Sequence, residues 1–216
     1  MSAGDDRLAV SLFQQAIALD AGKALYHRTL AAAEFRRFEQ AGDATGAHRA
    51  ASELNIAMAL NPLDGRLPGL LGAVYVALAA APSPAANTGQ DRQAQREAWR
   101  KIAVSAYERA IRLEPYNPYY RLEAARLHFV LGHREQAESA VRQAVEIEPN
   151  FLPGREWLAM LYLGSARRDD AVREYREIVE RRQRFAGWHK SEADERFLAA
   201  DVAGLEAALG RNRPPA

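Results

Sequence analysis

No cysteine occurs anywhere in the chain, which excludes disulfides, thiolate metal sites and a thiol nucleophile. The compartment stays open, because reducing and oxidising environments both tolerate a cysteine-free protein. No one sign of charge dominates: 29 Lys and Arg stand against 28 Asp and Glu, a formal charge of +1. That balance gives no electrostatic reason to expect nucleic acid or an anionic membrane as partner. No apolar run is long enough to cross a bilayer. The longest, Leu67–Ala81, holds 15 residues including a proline and two glycines, against the roughly 20 a spanning helix needs; it reads as a buried helix. Runs of Val, Ile and Thr are scarce, which disfavours sheet. The start, Met1–Arg7, is short, polar and acidic, unlike a signal peptide.

Leu, Ala, Arg and Glu are plentiful instead, and they favour helix. With 48% hydrophobic and 26% charged residues the composition is that of an ordinary globular protein, and 216 residues make one large domain or two small ones. The informative feature is repetition. Two windows, Pro118–Phe151 and Leu152–Phe185, are equal in length and align without a gap. In the first, Leu122, Ala125 and Phe129 mark one helical stripe and Ala137, Val141 and Ala144 another, around a turn at Gly132–His133. In the second, Leu158, Ala159 and Tyr162 precede Ala171, Tyr175 and Ile178. Pro149 ends the second helix of the first window, since proline cannot continue the hydrogen-bond ladder. A repeat of roughly 34 residues made of two helices is the signature of an array.

The alanine pair continues upstream. Ala137/Ala144 is matched by Ala103/Ala110, Ala50/Ala57 and Ala9/Ala16, always seven residues apart. Pro62, Pro115 and Pro149 each follow the later alanine by five. Small residues seven apart share a helix face and let a neighbouring helix approach. The step from Ala110 to Ala144 equals the length of one window, whereas Ala16 to Ala57 is longer by seven and Ala57 to Ala110 longer still. Two units therefore carry insertions, the second larger than the first.

These residues resemble tetratricopeptide (TPR) repeats. Leu71-Gly72 with Tyr75, then Ala103, Tyr107, Ala110 and Pro115, follow the family's pattern of small, aromatic and proline positions. Ala21 and Gln183 replace two of the prolines, Ile178 replaces an alanine, and Trp157 stands slightly off the usual tryptophan place. The resemblance covers about residues 8–185. It implies an all-α, TPR-type α-solenoid of helix pairs with a C-terminal capping helix, in a single domain over 1–216.

Within that frame, residues 5–20 match only a second helix, which leaves an apolar face without its usual cover; either it is itself a cap or the chain is part of a longer protein. Repeats follow at 24–62, at 65–115 with an inserted loop about 79–90, at 118–149 and at 152–185. Asp43 or Thr45 is the expected N-cap of a helix from Ala47 to Leu60, and Asp91 that of the long helix carrying Trp99, whose indole is expected to extend the packing face. A capping helix closes the array over 191–209, with Ser191 and Asp194 as a capping box and Phe197, Leu198, Val202, Leu205 and Leu209 as one apolar stripe.

Signs of chemistry are few. His27, His48, His128, His133 and His189 show no ligand spacing, and no Gly-rich phosphate loop or nucleophile motif occurs. Carboxylates have basic neighbours at helical spacing, as at Asp169–Arg173 and Glu177–Arg181, and read as a solvated helix face. No cofactor, no metal and no catalysis by this chain are expected. What remains is surface. In TPR arrays the first helices line a concave groove, so the resemblance nominates Arg28, Phe35, Arg66, Tyr119, Leu122, Glu123, Arg126, Phe129, Glu156, Trp157, Met160 and Leu163 as partner-binding residues. The set lacks the Lys and Asn arrangement that grips a C-terminal carboxylate and suits an apolar helix or extended peptide. The implied function is a non-catalytic scaffold for a protein or peptide, with no nucleic acid and no membrane insertion.

A finer resemblance is carried by "NPYYRLEAARL" and "EPNFLPGREWLA", which are similar to the TPR tails of bacterial O-antigen ligase and polymerase-like membrane proteins. It implies an alternative: an extracytoplasmic domain acting in glycan assembly, periplasmic where the leading reading would be cytoplasmic. Any catalytic residues would then lie upstream, outside this chain.

Overall fold

The computed structural model describes residues 3–42, 44–82, 88–188 and 191–211. Of these, 82% are helical and none lies in a strand, as the all-α reading requires. The chain divides into two compact units, Met1–Pro115 and Tyr116–Ala216, where the repeats suggested one continuous domain.

The first unit holds α1 (Ala3–Leu19), α2 (Ala24–Ala41), α3 (Ala44–Leu60), α4 (Arg66–Ala80) and α5 (Gly89–Leu113). Helices adjacent in sequence pack on one another. Ala50, Ala57, Ala103 and Ala110 are all 0% exposed, so the spaced alanines do sit where helices meet closely. Gly72 serves the same end on α4, because a Cβ there would come within 2.8 Å of the Tyr107 ring. Around them Phe38, Leu54, Leu67, Leu71, Val74 and Leu78 form the core, with Trp99 packed against it. Trp99 also tilts against His48 at 6.0 Å, the packing role expected of it.

Helix α1 is the exception. Val10, Phe13 and Ile17 pack against Leu30 and Ala33 of α2, yet Ala9 and Ala16 are only half-buried. Leu8, Leu12 and Leu19 are 61%, 53% and 90% exposed, which is the open apolar face expected of a helix without its pair. Asp6 anchors α1: wholly buried, it accepts from Arg36 Nε at 2.8 Å and Gln40 Nε2 at 2.9 Å. The Arg36 guanidinium holds its carboxyl below the usual carboxylate range, against the opposing effect of burial.

Three boundaries differ from expectation. Helix α3 begins at Ala44, so Thr45 lies inside it rather than capping it, and Asp43 is outside the described residues. Asp91 is not the cap of α5. Thr88 is, accepting from Asp91 N at 3.1 Å and donating to Asp91 Oδ2 at 2.7 Å; the hydroxyl three residues upstream takes Asp91's own N–H, which places Asp91 in the first turn of the helix instead of before it. The inserted loop is shorter than 79–90, since α4 runs to Ala80 and α5 starts at Gly89; residues 83–87 lie outside the described ones.

The second unit holds α6 (Pro118–Val130), α7 (Arg134–Ile147), α8 (Leu152–Gly164), α9 (Arg168–Arg184), α10 (Glu192–Phe197) and α11 (Val202–Arg211). Helices α6 and α8 start one repeat period apart, and so do α7 and α9. Asn117 caps α6 by accepting from Tyr119 N at 3.1 Å, and Pro118 takes the first helical position, where its missing N–H costs nothing. Ala137 is 0% exposed, as are Val141, Ala144, Ala171 and Ile178, which share a core with Leu122, Phe151, Leu152 and Leu158. On α9 Glu177 pairs with Arg181 as expected, but Arg173 pairs with Asp170 rather than Asp169.

The C-terminal stripe is not one helix. Ser191 and Asp194 form the expected capping box, but the helix they start ends at Phe197, and another begins at Val202. Asp201 makes the break. Its carboxylate accepts from Gly204 N at 2.9 Å, and its own N–H goes to Glu156 Oε2 at 3.1 Å. Parting with helix there lets Phe197 reach Tyr119 and Phe151 while Leu205 and Leu209 join the α8–α9 core.

Candidate functional site

Helices α6 and α8 present equivalent positions one repeat apart, so Leu122, Glu123, Arg126 and Phe129 correspond to Glu156, Trp157, Met160 and Leu163. Trp157 meets Phe129 edge-on, ring centres 5.9 Å apart at 83°. Phe129, Val130 and Met160 remain 41%, 55% and 47% exposed, an unusual amount of apolar surface for neighbouring positions. Phe129 and Met160 line a cavity of about 320 Å³ together with Leu161, Arg134, Glu138 and Arg167. The Arg134 guanidinium lies 5.6 Å over the Phe129 ring, and that of Arg167 lies 4.3 Å over Tyr162. Arg167 is further tied to Glu138 at 2.8 Å and Asp170 at 2.7 Å, which raise its pKa and fix it as a cation. Beside them Arg126 donates to Glu123 at 2.8 Å. Burial pushes the Glu123 carboxyl up, with Arg126 acting against it.

Of the residues nominated from sequence, Arg126, Phe129, Trp157 and Met160 are therefore brought onto one partly open surface, with Glu123 held by Arg126. Leu122 is not part of it: at 1% exposure it belongs to the core and offers nothing to a partner. Leu163 packs against the same core. Tyr119 is a packing residue, edge-on to Phe151 at 4.7 Å and Phe197 at 5.3 Å, with its hydroxyl pKa raised by burial. Glu156 is taken by the Asp201 backbone. Thus the chain's own C-terminal segment covers two of the expected binding positions.

In the first unit, Arg28 and Arg66 converge on one carboxylate, with the Arg66 side chain still exposed. Arg66 makes two bonds of 2.8 Å to Asp64, and Arg28 stands 3.7 Å from it. Arg66 is the main cause that holds the Asp64 carboxyl below its usual range. Phe35 stacks on Phe38 at 5.9 Å and packs against the core. Arg134, Glu138 and Arg167 line the same cavity and were not among the residues nominated from sequence. They sit at the N-terminal ends of α7 and α9, within the first two turns or just before them, and attention to first helices alone passes over them.

Among the described residues no group of three or more His, Cys, Asp or Glu could hold a metal ion. No helix among them is long and apolar enough to cross a membrane. His128 and His133 lie 5.9 Å apart, and His189 is outside the described residues. An aromatic and thioether surface edged by guanidinium groups is chemistry for recognition.

No protein-family model matches the chain. A 71-residue stretch, 33% of the chain, is 35% identical to the TPR repeat-containing thioredoxin TTL4 of Arabidopsis thaliana. The match spans about 10% of that protein's length. Among solved structures, MamA aligns with a TM-score of 0.66 at 17% identity, over 86% of this chain and 93% of that one. TTC0263, a TPR protein of Thermus thermophilus, aligns at 0.59 and 22% identity over 95% and 91%. YrrB, described as a TPR protein with an unusual peptide-binding site, aligns at 0.57 and 15% over 94% and 92%. The chain therefore has the helix-pair fold of TPR proteins. The likeness to O-antigen ligase tails finds no support in these comparisons.

Proposed function

We propose that this chain is a scaffold that binds a peptide segment of a protein partner on the α6–α8 face of its second unit, working by binding rather than catalysis. The observation that carries the reading is the Phe129–Trp157 ring pair, from consecutive repeats, opening onto the Met160 cavity. Rigid aromatic side chains already fixed against each other give contact area at low entropic cost. Arg126 and Arg134 at the edge add donors for backbone carbonyls or a carboxylate of the peptide. YrrB, which shares the fold, is described as having a peptide-binding site, and this supports a peptide as the ligand class.

The test is to select binders from a peptide-display library and measure their affinity by fluorescence anisotropy. Phe129→Ala and Arg126→Ala should each weaken a selected peptide by about 2 kcal/mol or more if they anchor it, while melting temperatures hold. Unchanged affinity in both folded variants moves the site elsewhere.

A further inference from the structure

Away from that face, the second unit has a cavity that neither the repeats nor the fold explains. It encloses about 330 Å³ where the turn before α8, the end of α9 and the start of α10 meet. Its walls include the rings of Phe185, Trp188 and Phe197 and the carboxylates of Glu148 and Asp194; no basic side chain is among the described residues that line it. Phe185 and Trp188 stand edge to face at 90°, centres 5.2 Å apart. Phe197 is fixed by Phe151 at 5.2 Å and Tyr119 at 5.3 Å. The indole of Trp188 is 67% exposed, much more than a large apolar ring needs for packing.

The carboxylates are held in place by hydrogen bonds. Asp194 accepts from the Ser191 hydroxyl at 2.6 Å and the Ser191 N–H at 2.9 Å, and the hydroxyl bond first of all keeps its carboxyl below the usual range. Glu148 uses Oε1 to accept from Asn150 N at 3.0 Å. Neither bond neutralises a charge, so both anions remain available to a cation. Ring faces carry negative potential and attract cations, and the carboxylates add to that field. Nearby, Glu192 is matched by Arg196 at 2.5 Å, whereas Glu195 has no comparable cation in the described ion pairs.

We propose that this cavity binds the cationic side chain, Arg or Lys, of a basic peptide segment, at a site separate from the α6–α8 face. The cation sits among the three rings, and the carboxylates take its N–H donors. At about 330 Å³ the cavity has room for a long side chain to enter. Arg and Lys both present a stem for the rings and a charged head for the anions.

The experiment uses the full chain, labelled with nitrogen-15, and follows the Trp188 indole N–H by NMR. The probes are N-acetylated, C-amidated Gly-Ser heptapeptides with one central Arg, Lys, acetyl-Lys or Glu. Saturable shifts are expected with Arg and Lys, weakening as salt rises, and none with acetyl-Lys or Glu. Glu148→Gln and Trp188→Phe, read on the Phe185 and Phe197 ring signals, should each weaken binding about tenfold. Circular dichroism keeps a folding defect apart from a binding defect, and Glu148→Gln, which preserves shape, decides if the indole variant unfolds locally. Three results would each overturn the proposal: no saturable shift with either cation, equal shifts with acetyl-Lys, or full affinity in folded Glu148→Gln. The Phe129 and Arg126 variants should bind these probes as wild type does, so failure here leaves the α6–α8 reading to its own test.

Discussion

His27 and Arg155 are each the fourth residue of a first helix, one in each unit, and they make the same two contacts with different chemistry. His27 Nε2 faces the carbonyl of Ala21, six residues back, at 3.1 Å, and Nδ1 faces Glu53 on the partner helix α3 at 2.6 Å. Arg155 donates from Nε to the carbonyl of Pro149, also six back, at 2.8 Å, and from Nη1 to Glu174 on α9 at 2.7 Å. Both glutamates stand three residues after a regularly placed alanine, Ala50 or Ala171. Each clasp ties a first helix to its second helix and to the turn before it. The difference lies in reach and permanence. Arg presents a planar fork and is always charged, while imidazole offers one N–H per ring nitrogen and must carry both to serve two acceptors. Glu177 also adds a second carboxylate to the Arg155 clasp, 3.8 Å away.

The sharpest way to break that comparison is to remove the basic group from each unit. Arg155→Leu leaves Glu174, whose side chain is only 18% exposed, facing a desolvated gap. Breaking a buried pair from one side costs about 3 kcal/mol or more, so urea melts should shift strongly. His27→Leu should cost less, about 1–2 kcal/mol, because it leaves one carboxylate without its partner where Arg155→Leu leaves two. His27→Arg sharpens the comparison further. If the two clasps are equivalent, this variant stays within about 1 kcal/mol of wild type. A loss as large as that of His27→Leu would mean that the α2–α3 site is shaped for a ring.

The clasps were illegible in the sequence, although the helices that carry them were not. Spaced alanines, prolines and the two unbroken windows announce helix pairs, because small residues at a fixed interval have one structural use that recurs in every unit. A hydrogen bond between His27 and Glu53, or Arg155 and Glu174, joins residues 26 and 19 apart and follows no local rule. The same limit applies to the nominated site. Register places Phe129, Trp157 and Met160 on one partly open surface, yet Leu122, in equally good register, is buried, since register fixes direction and not depth. Tyr119 and Glu156 were lost to α10 and Asp201. A continuous apolar stripe hid that break, because periodicity reports the face of a helix and is blind to a side chain such as Asp201 competing for its backbone.

A second contrast sets α7 against α1. Ala144 is fully buried between helices, whereas Ala16 is half-buried on a helix that packs chiefly against α2. Ala144→Leu should overpack and destabilise by about 1–3 kcal/mol. Ala16→Leu should stay within about 0.5 kcal/mol of wild type, as substitutions at open positions do. Equal losses at both would mean that α1 is covered in solution by something that closes its exposed leucines.

The smallest effect, and the cleanest comparison, concerns the turns between helices. Gly132 and Ala166 are one repeat period apart and both adopt left-handed backbone, at φ 85° and 58°. Their turns are closed by the same bonds: His133 N to His128 O and Arg167 N to Tyr162 O, both 2.8 Å. Glycine accepts this conformation freely, but in an L-residue it costs roughly 1–2 kcal/mol. A Cβ at Gly132 would meet nothing within 4 Å, so backbone strain alone decides the outcome there. Gly132→Ala should therefore destabilise and Ala166→Gly stabilise. Each change is softened by the opposite effect of glycine on the entropy of the unfolded chain, about 0.4–1 kcal/mol. The net shifts should be opposite in sign and about 0.5–1 kcal/mol in size, and the double variant should return to wild-type stability. A destabilised Ala166→Gly would show instead that the methyl group of Ala166 holds its turn by packing, and that the two repeats close by different means.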